Sequence, residues 1–166
     1  MAARILVAYA TRKGSTAEIA QAVGKELQSA GHEAAVSEMK AVKSVGGYDA
    51  FVLGAPVYMH KIIELGKFAK RFRDELGSRP VAVFGVGMAP VSKKPGEVEE
   101  ESNLLSASVT PINPVSVALF AGKVDPAQFN FLMRRMVESD KTMVGDFRDW
   151  NAIAAWARDL PEKMGL

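Results

Sequence analysis

The 166-residue chain has no cysteine, two histidines and a formal charge of only +2. Without cysteine there is no disulfide, thiolate metal centre, cysteine-ligated iron–sulfur cluster or cysteine nucleophile. His32 and His60 stand far apart in sequence, and neither sits in a close run of histidines and carboxylates, so no metal is expected. His32 falls at a helix end, where favourable charge interaction and a turn account for it, and His60 reads as opening a helix or bordering a pocket rather than as a proton donor. No residue stands out as catalytic.

Other absences narrow the class further. No apolar run reaches the length that spans a bilayer, and no secretory signal precedes the first strand, which implies a cytoplasmic protein. The densest basic group, Lys61, Lys67, Lys70, Arg71 and Arg73, is diluted by Glu64, Asp74 and Glu75 and has no aromatics interleaved. It reads as a solvated helix face, and no nucleic-acid partner is expected. Neither GxxxxGK[ST] nor GxGxxG follows the first strand, which excludes the usual triphosphate and dinucleotide loops. No Asp ends the first or third strand, against a receiver domain. Hydrophobic residues make up 48% and charged ones 24%, which excludes disorder. With no repeat and no low-complexity linker, residues 1–166 are expected to form a single domain.

What remains is an alternation of short apolar strands and helices. Residues 5–10 form a continuous apolar run that reads as a strand buried on both faces. The loop Thr11-Arg12-Lys13-Gly14-Ser15-Thr16 follows, and Ser15 with Glu18 has the spacing of a capping box. Ile19, Ala20, Val23 and Leu27 then share one helix face. Further strands are expected at 33–38, 48–54, 80–86 and 115–120, with a turn at 55–60. Helices are expected at 62–77, 97–108 and from Trp150, with Asp125-Pro126 opening another. Such a pattern requires a parallel sheet covered on both sides.

The loops beginning at Thr11, Ala55 and Gly85 all follow strands, so they share the carboxyl edge of the sheet, where ligands bind in open α/β folds. The first joins unpaired helix N–H groups to hydroxyls and two cations, with no carboxylate to repel an anion, and suits a single phosphate. Pro56, Val57 and Tyr58 offer a restrained turn and a ring that either packs or stacks on a flat heterocycle. Val86, Gly87 and Met88 offer closely approachable backbone.

Residues 11–16 after the first strand resemble the phosphate loop of flavodoxins. That resemblance implies an α/β, flavodoxin-like three-layer sandwich with a five-stranded parallel sheet in the order 2-1-3-4-5, and FMN as cofactor. Thr11, Arg12, Lys13, Gly14, Ser15 and Thr16 would surround the phosphate. Pro56, Val57 and Tyr58 would border the ring, and Val86, Gly87 and Met88 its pyrimidine side. Residues 54–61, 117–123 and 145–150 are similar to the flavodoxin-domain group that includes menaquinone-dependent protoporphyrinogen dehydrogenase, in which a helical insertion follows the fifth strand, as 126–139 would here. This implies an FMN-dependent oxidoreductase with a quinone or redox-protein partner and peripheral membrane contact. An electron carrier without its own substrate and a cofactor-free binding or regulatory domain are the alternatives.

Overall fold

The computed structural model describes residues 2–92, 94–128, 130–138 and 144–166. Of the insertion expected at 126–139, Phe129, Ser139 and the side chains of Met133 and Met136 lie outside the described residues. In chain order the elements are β1 (Arg4–Tyr9), α1 (Ser15–Ser29), β2 (Glu33–Glu38), β3 (Ala50–Tyr58), β4 (Lys61–Ile62), α2 (Leu65–Arg71) and α3 (Arg73–Gly77). There follow β5 (Val81–Gly87), α4 (Glu97–Ser108), β6 (Ser116–Ala121), β7 (Lys123–Val124), α5 (Phe131–Glu138), β8 (Gly145–Asp146) and α6 (Trp150–Lys163).

The five long strands pair in parallel in the order β2-β1-β3-β5-β6, which is 2-1-3-4-5 when only they are counted. Apolar side chains alternate through the sheet to two cores, which is why the strands read as continuous hydrophobic runs. Ile5, Val7, Val52, Ala82 and Phe84 meet Ile19, Val23 and Leu27 of α1 and Ile153, Ala157 and Leu160 of α6. Leu6, Ala8, Phe51, Leu53 and Val83 meet Leu65, Phe68, Leu76 and Leu105 of α2 to α4. Trp156 joins Phe84 and Phe120 edge-on, and its indole N–H donates to Ser116 Oγ at 2.9 Å.

The structure corrects three local expectations. Residues 55–58 are not a turn: β3 runs through them, with Ala55 and Pro56 opposite Gly85 and Val86 of β5, and Val57 and Tyr58 paired with β4. Proline fits there because pairing with β1 has ended at Gly54, so its missing N–H leaves no ladder bond unmade. Its carbonyl accepts from Ile63 N at 3.2 Å. The single helix expected at 62–77 is instead β4, α2 and α3, interrupted at Phe72, where ψ swings to 31°. Finally, Ser15 does not cap α1. Gly14 does so at φ 89°, without a side-chain bond, and Glu18 is used elsewhere.

After β6 the chain makes the short antiparallel pair β7 and β8, and between these lie a 3-10 turn (Pro126–Gln128) and α5. Asp125 Oδ1 accepts from Ala127 N at 3.0 Å, the expected cap, although it opens the 3-10 turn rather than a full helix. This is the helical insertion after the fifth long strand. Among the described residues no helix is long and apolar enough to cross a membrane.

Candidate functional site

The strand order turns back between β1 and β3, so the loops leaving their carboxyl ends diverge and leave a crevice. A pocket of about 320 Å³ occupies it. Thr11, Arg12, Lys13, Ser15 and Thr16 line it from the first loop, Pro56, Val57 and Tyr58 from the end of β3, and Val86, Gly87 and Met88 from the end of β5. Of the residues expected from sequence to border the cofactor, Gly14 alone is missing from the lining.

The first loop is held by a small set of bonds. Gly14 N donates to Thr11 Oγ1 at 2.9 Å, and the left-handed Gly14 turns the chain into α1. The first intrahelical bond runs from Glu18 N to Gly14 O at 3.2 Å, so the N–H groups of Ser15, Thr16 and Ala17 precede it at the positive end of the helix. Thr16 is buried at 2% exposure, while Arg12 swings its guanidinium to 5.8 Å from the Tyr58 ring centroid. Cationic side chains and an aromatic face thus meet at one side of the pocket.

At the opposite wall the backbone itself is exposed to the pocket. A Cβ on Gly87 would lie 3.2 Å from the Val57 carbonyl oxygen and 3.3 Å from Val57 Cβ, so a side chain there would press the two strand ends apart by a few tenths of an ångström. Gly87 O accepts from Gly122 N at 3.0 Å, which brings in a fourth loop. Gly122, Lys123 and Val124, together with Asn130, complete the lining. Sequence reasoning missed these four as site residues. The signal for the first three was present, since they follow the last long strand at the same edge as the other loops.

Lys123 is placed by a clip at the base of the insertion. Its partner in the β7 and β8 pair is Asp146, which is gripped by Arg148 through Nε to Oδ1 at 2.8 Å and Nη2 to Oδ2 at 2.7 Å. Arg148 also donates to Glu18 of α1 and lies 4.7 Å from the Trp150 ring centroid, with its side chain 6% exposed. The Arg148 hydrogen bond is the main reason the Asp146 carboxyl falls from 3.8 to about 2, and Asp146 and Glu18 in turn hold Arg148 above its ordinary value. With Glu18 and Asp146 engaged in this way, the charged residues lining the pocket are Arg12, Lys13 and Lys123, all cationic.

A second group lies behind the Tyr58 side. Met59 and His60 turn off β3 at positive φ, 50° and 61°, and bring His60 Nδ1 to 3.7 Å from Glu101 Oε1. Glu97 stands one turn before Glu101 on α4, and one ligand atom from each of the three residues falls within 4.8 Å of the other two. Burial, then the Glu97 and Glu100 charges, raise the Glu101 pKa, while His60 pulls it down. The sequence expectation of no histidine and carboxylate cluster is therefore corrected: the fold assembles one from a strand end and a distant helix.

Comparison with known proteins now bears on this arrangement. A family model described as Flavodoxin domain matches residues 6–151. The chain belongs to the flavodoxin domain family. A relative of this flavodoxin-domain chain, protoporphyrinogen IX dehydrogenase [quinone] of Escherichia coli strain K12, is 26% identical over 95% of this chain and 94% of its own length. Among solved structures, flavodoxin 2 of Bacillus cereus superposes with a TM-score of 0.64 at 19% identity, covering 97% of this chain and 99% of that one. A flavo di-iron protein mutant from Thermotoga maritima superposes at 0.60 with 16% identity, covering 98% of this chain and 36% of that one. At such identities the structural likeness speaks for the fold.

Proposed function

We propose that this flavodoxin-domain chain is an FMN-dependent oxidoreductase that passes electrons between a reduced donor and a quinone or similar acceptor. Family membership supports FMN binding and electron transfer. The observation that carries the reading is one crevice in which a cationic loop at a helix N-terminus adjoins the Tyr58 ring on one side and closely approachable backbone forms the opposite wall. A phosphate on a flat heterocycle has that division of chemistry.

The residues fit the cofactor. Thr11 holds Gly14 in position, and Arg12, Lys13, Ser15, Thr16 and the first N–H groups of α1 would hold the phosphate. Pro56, Val57 and Tyr58 would border the ring, with Tyr58 its stacking partner, while Val86, Gly87 and Met88 would bring backbone groups to its polar edge. Lys123 and Val124 would close the remaining side. FMN, when bound, supplies the redox chemistry, and the protein supplies orientation, hydrogen bonding and partial exclusion of water.

The relative's name joins a porphyrinogen to a quinone, and a quinone is consistent with a pocket lined by apolar residues and cations without a carboxylate. The purified protein is expected to be yellow, to release FMN on denaturation and to reduce a quinone in a stopped-flow assay. Rapid exchange with redox proteins without quinone turnover would instead identify an electron carrier. A colourless protein that takes up no FMN would leave only the fold.

A further inference from the structure

We propose that His60, Glu97 and Glu101 form a binding site for a divalent first-row transition-metal ion, lying behind the wall of the pocket. The site begins with α4. Glu97 and Glu101 are four residues apart on one helix face, and Leu105, one turn further, is fully buried in the core. That periodicity carries Glu101 under the sheet edge, where the residue is 5% exposed. Two like charges at this spacing repel even on an open helix surface, and more strongly where water is excluded.

The burial is not compensated by hydrogen bonds. Among the described residues Glu97 Oε2 and Glu101 Oε2 are both buried and have no partner. A buried carboxylate oxygen without a donor is costly, so such atoms mark a missing ligand, proton or ion. His60 does not discharge them. Its Nδ1 stands 3.7 Å from Glu101 Oε1, too far for a hydrogen bond, and that approach leaves both Oε2 atoms unserved.

One cation placed among the three would meet all of them. Their ligand atoms already lie within 4.8 Å of one another, and tetrahedral coordination at zinc distances needs about 3.3 Å between ligands. The difference is within reach of side-chain rotation, because His60 is half-exposed at 51% and only Glu101 is fixed by burial. One imidazole and two carboxylates suit zinc or a similar ion, with the remaining position open to water on the exposed His60 side. Magnesium, which prefers six oxygens, is disfavoured. The site also touches the pocket wall, since a Cβ on Gly87 would lie 3.6 Å from Glu101 Oε2.

The test is calorimetric titration of tag-free, EDTA-treated protein with Zn²⁺ and, separately, with Mg²⁺. The expected result is roughly one Zn²⁺ per chain, with Mg²⁺ far weaker. Glu101→Gln and His60→Ala should each lower Zn²⁺ affinity by about tenfold or more, and His32→Ala should leave it unchanged. Absence of Zn²⁺ uptake, equal binding of Mg²⁺, or loss of binding in His32→Ala overturns the assignment. So does a neutral Glu101 that keeps its proton in the presence of Zn²⁺, seen in the infrared carboxyl band. If Glu101→Gln does not fold, His60→Ala decides, because its side chain is exposed. The measurement needs no flavin, so its failure leaves the FMN proposal standing, and a colourless protein leaves this one standing.

Discussion

Two single residues carry the site, and a third carries the packing of the sheet beneath it. Gly14 has nothing within 4 Å of where a Cβ would be, so its importance lies in its φ of 89°. Gly14→Val imposes a left-handed conformation on a β-branched residue at a cost of about 1–2 kcal/mol, and FMN affinity should fall by about tenfold or more in a fluorescence titration. Unchanged affinity would take the phosphate away from this loop. Tyr58→Ala should weaken FMN binding by about two- to tenfold, the range of one aromatic contact, and shift the reduction potential measured by dye equilibration. Gly54 presents the opposite case to Gly14: a Cβ there would fall 2.0 Å from Phe84 Cζ, on a side chain that is fully buried. Gly54→Ala should lose about 1–3 kcal/mol of stability in urea unfolding, with little direct effect on the pocket.

Between elements, the clip at Arg148 ties the insertion to α1 and to α6. Because Asp146 is lowered from 3.8 to about 2, its contribution is fully present above pH 3.8 and is lost as the pH falls through about 2. Arg148→Met should return the Asp146 titration towards 3.8, as followed by NMR, and should speed amide exchange at residues 145–147. Asp146 is itself partly exposed, so the effect on global stability should be small and the local exchange rates should report most of it. An unchanged Asp146 titration would show that the clip does not form in solution. The same variant should weaken FMN binding modestly, because Lys123 hangs on the strand that Asp146 pairs with.

For the molecule as a whole, ligand binding and folding are linked. The pocket draws on four loops that lie far apart in sequence, so FMN can bind tightly only to the folded chain. At FMN concentrations about a hundredfold above Kd, stability should rise by about 2.7 kcal/mol. For a chain of this size that is about 5–10 °C in Tm, readable by differential scanning calorimetry. No shift, in a protein that binds FMN by absorbance, would place the flavin outside a site made by folding.

How much of this was legible in the chain follows from where each signal is stored. Residues 5–10 and 80–86 announce buried strands because both of their faces are covered, and Ile19, Val23 and Leu27 mark the buried side of α1. Those local patterns determined the layered fold, and the rule that parallel strands send their exits to one edge brought the first three loops together. Pro56 misled as a turn residue because its fit in β3 depends on β1 having already ended, a fact about a neighbouring strand. Glu18 looked like half of a capping box, yet Arg148 claims it from the far end of the chain. Sequence by itself thus determined the five long strands, the helices α1, α4 and α6 and the chemistry of the opening loop, because these rest on propensity and periodicity over short spans. Only the tertiary structure decided that Asn130 reaches the pocket, that Arg148 locks the insertion, and that two glutamates of α4 meet His60. Each of those depends on packing between segments that carry no local record of one another.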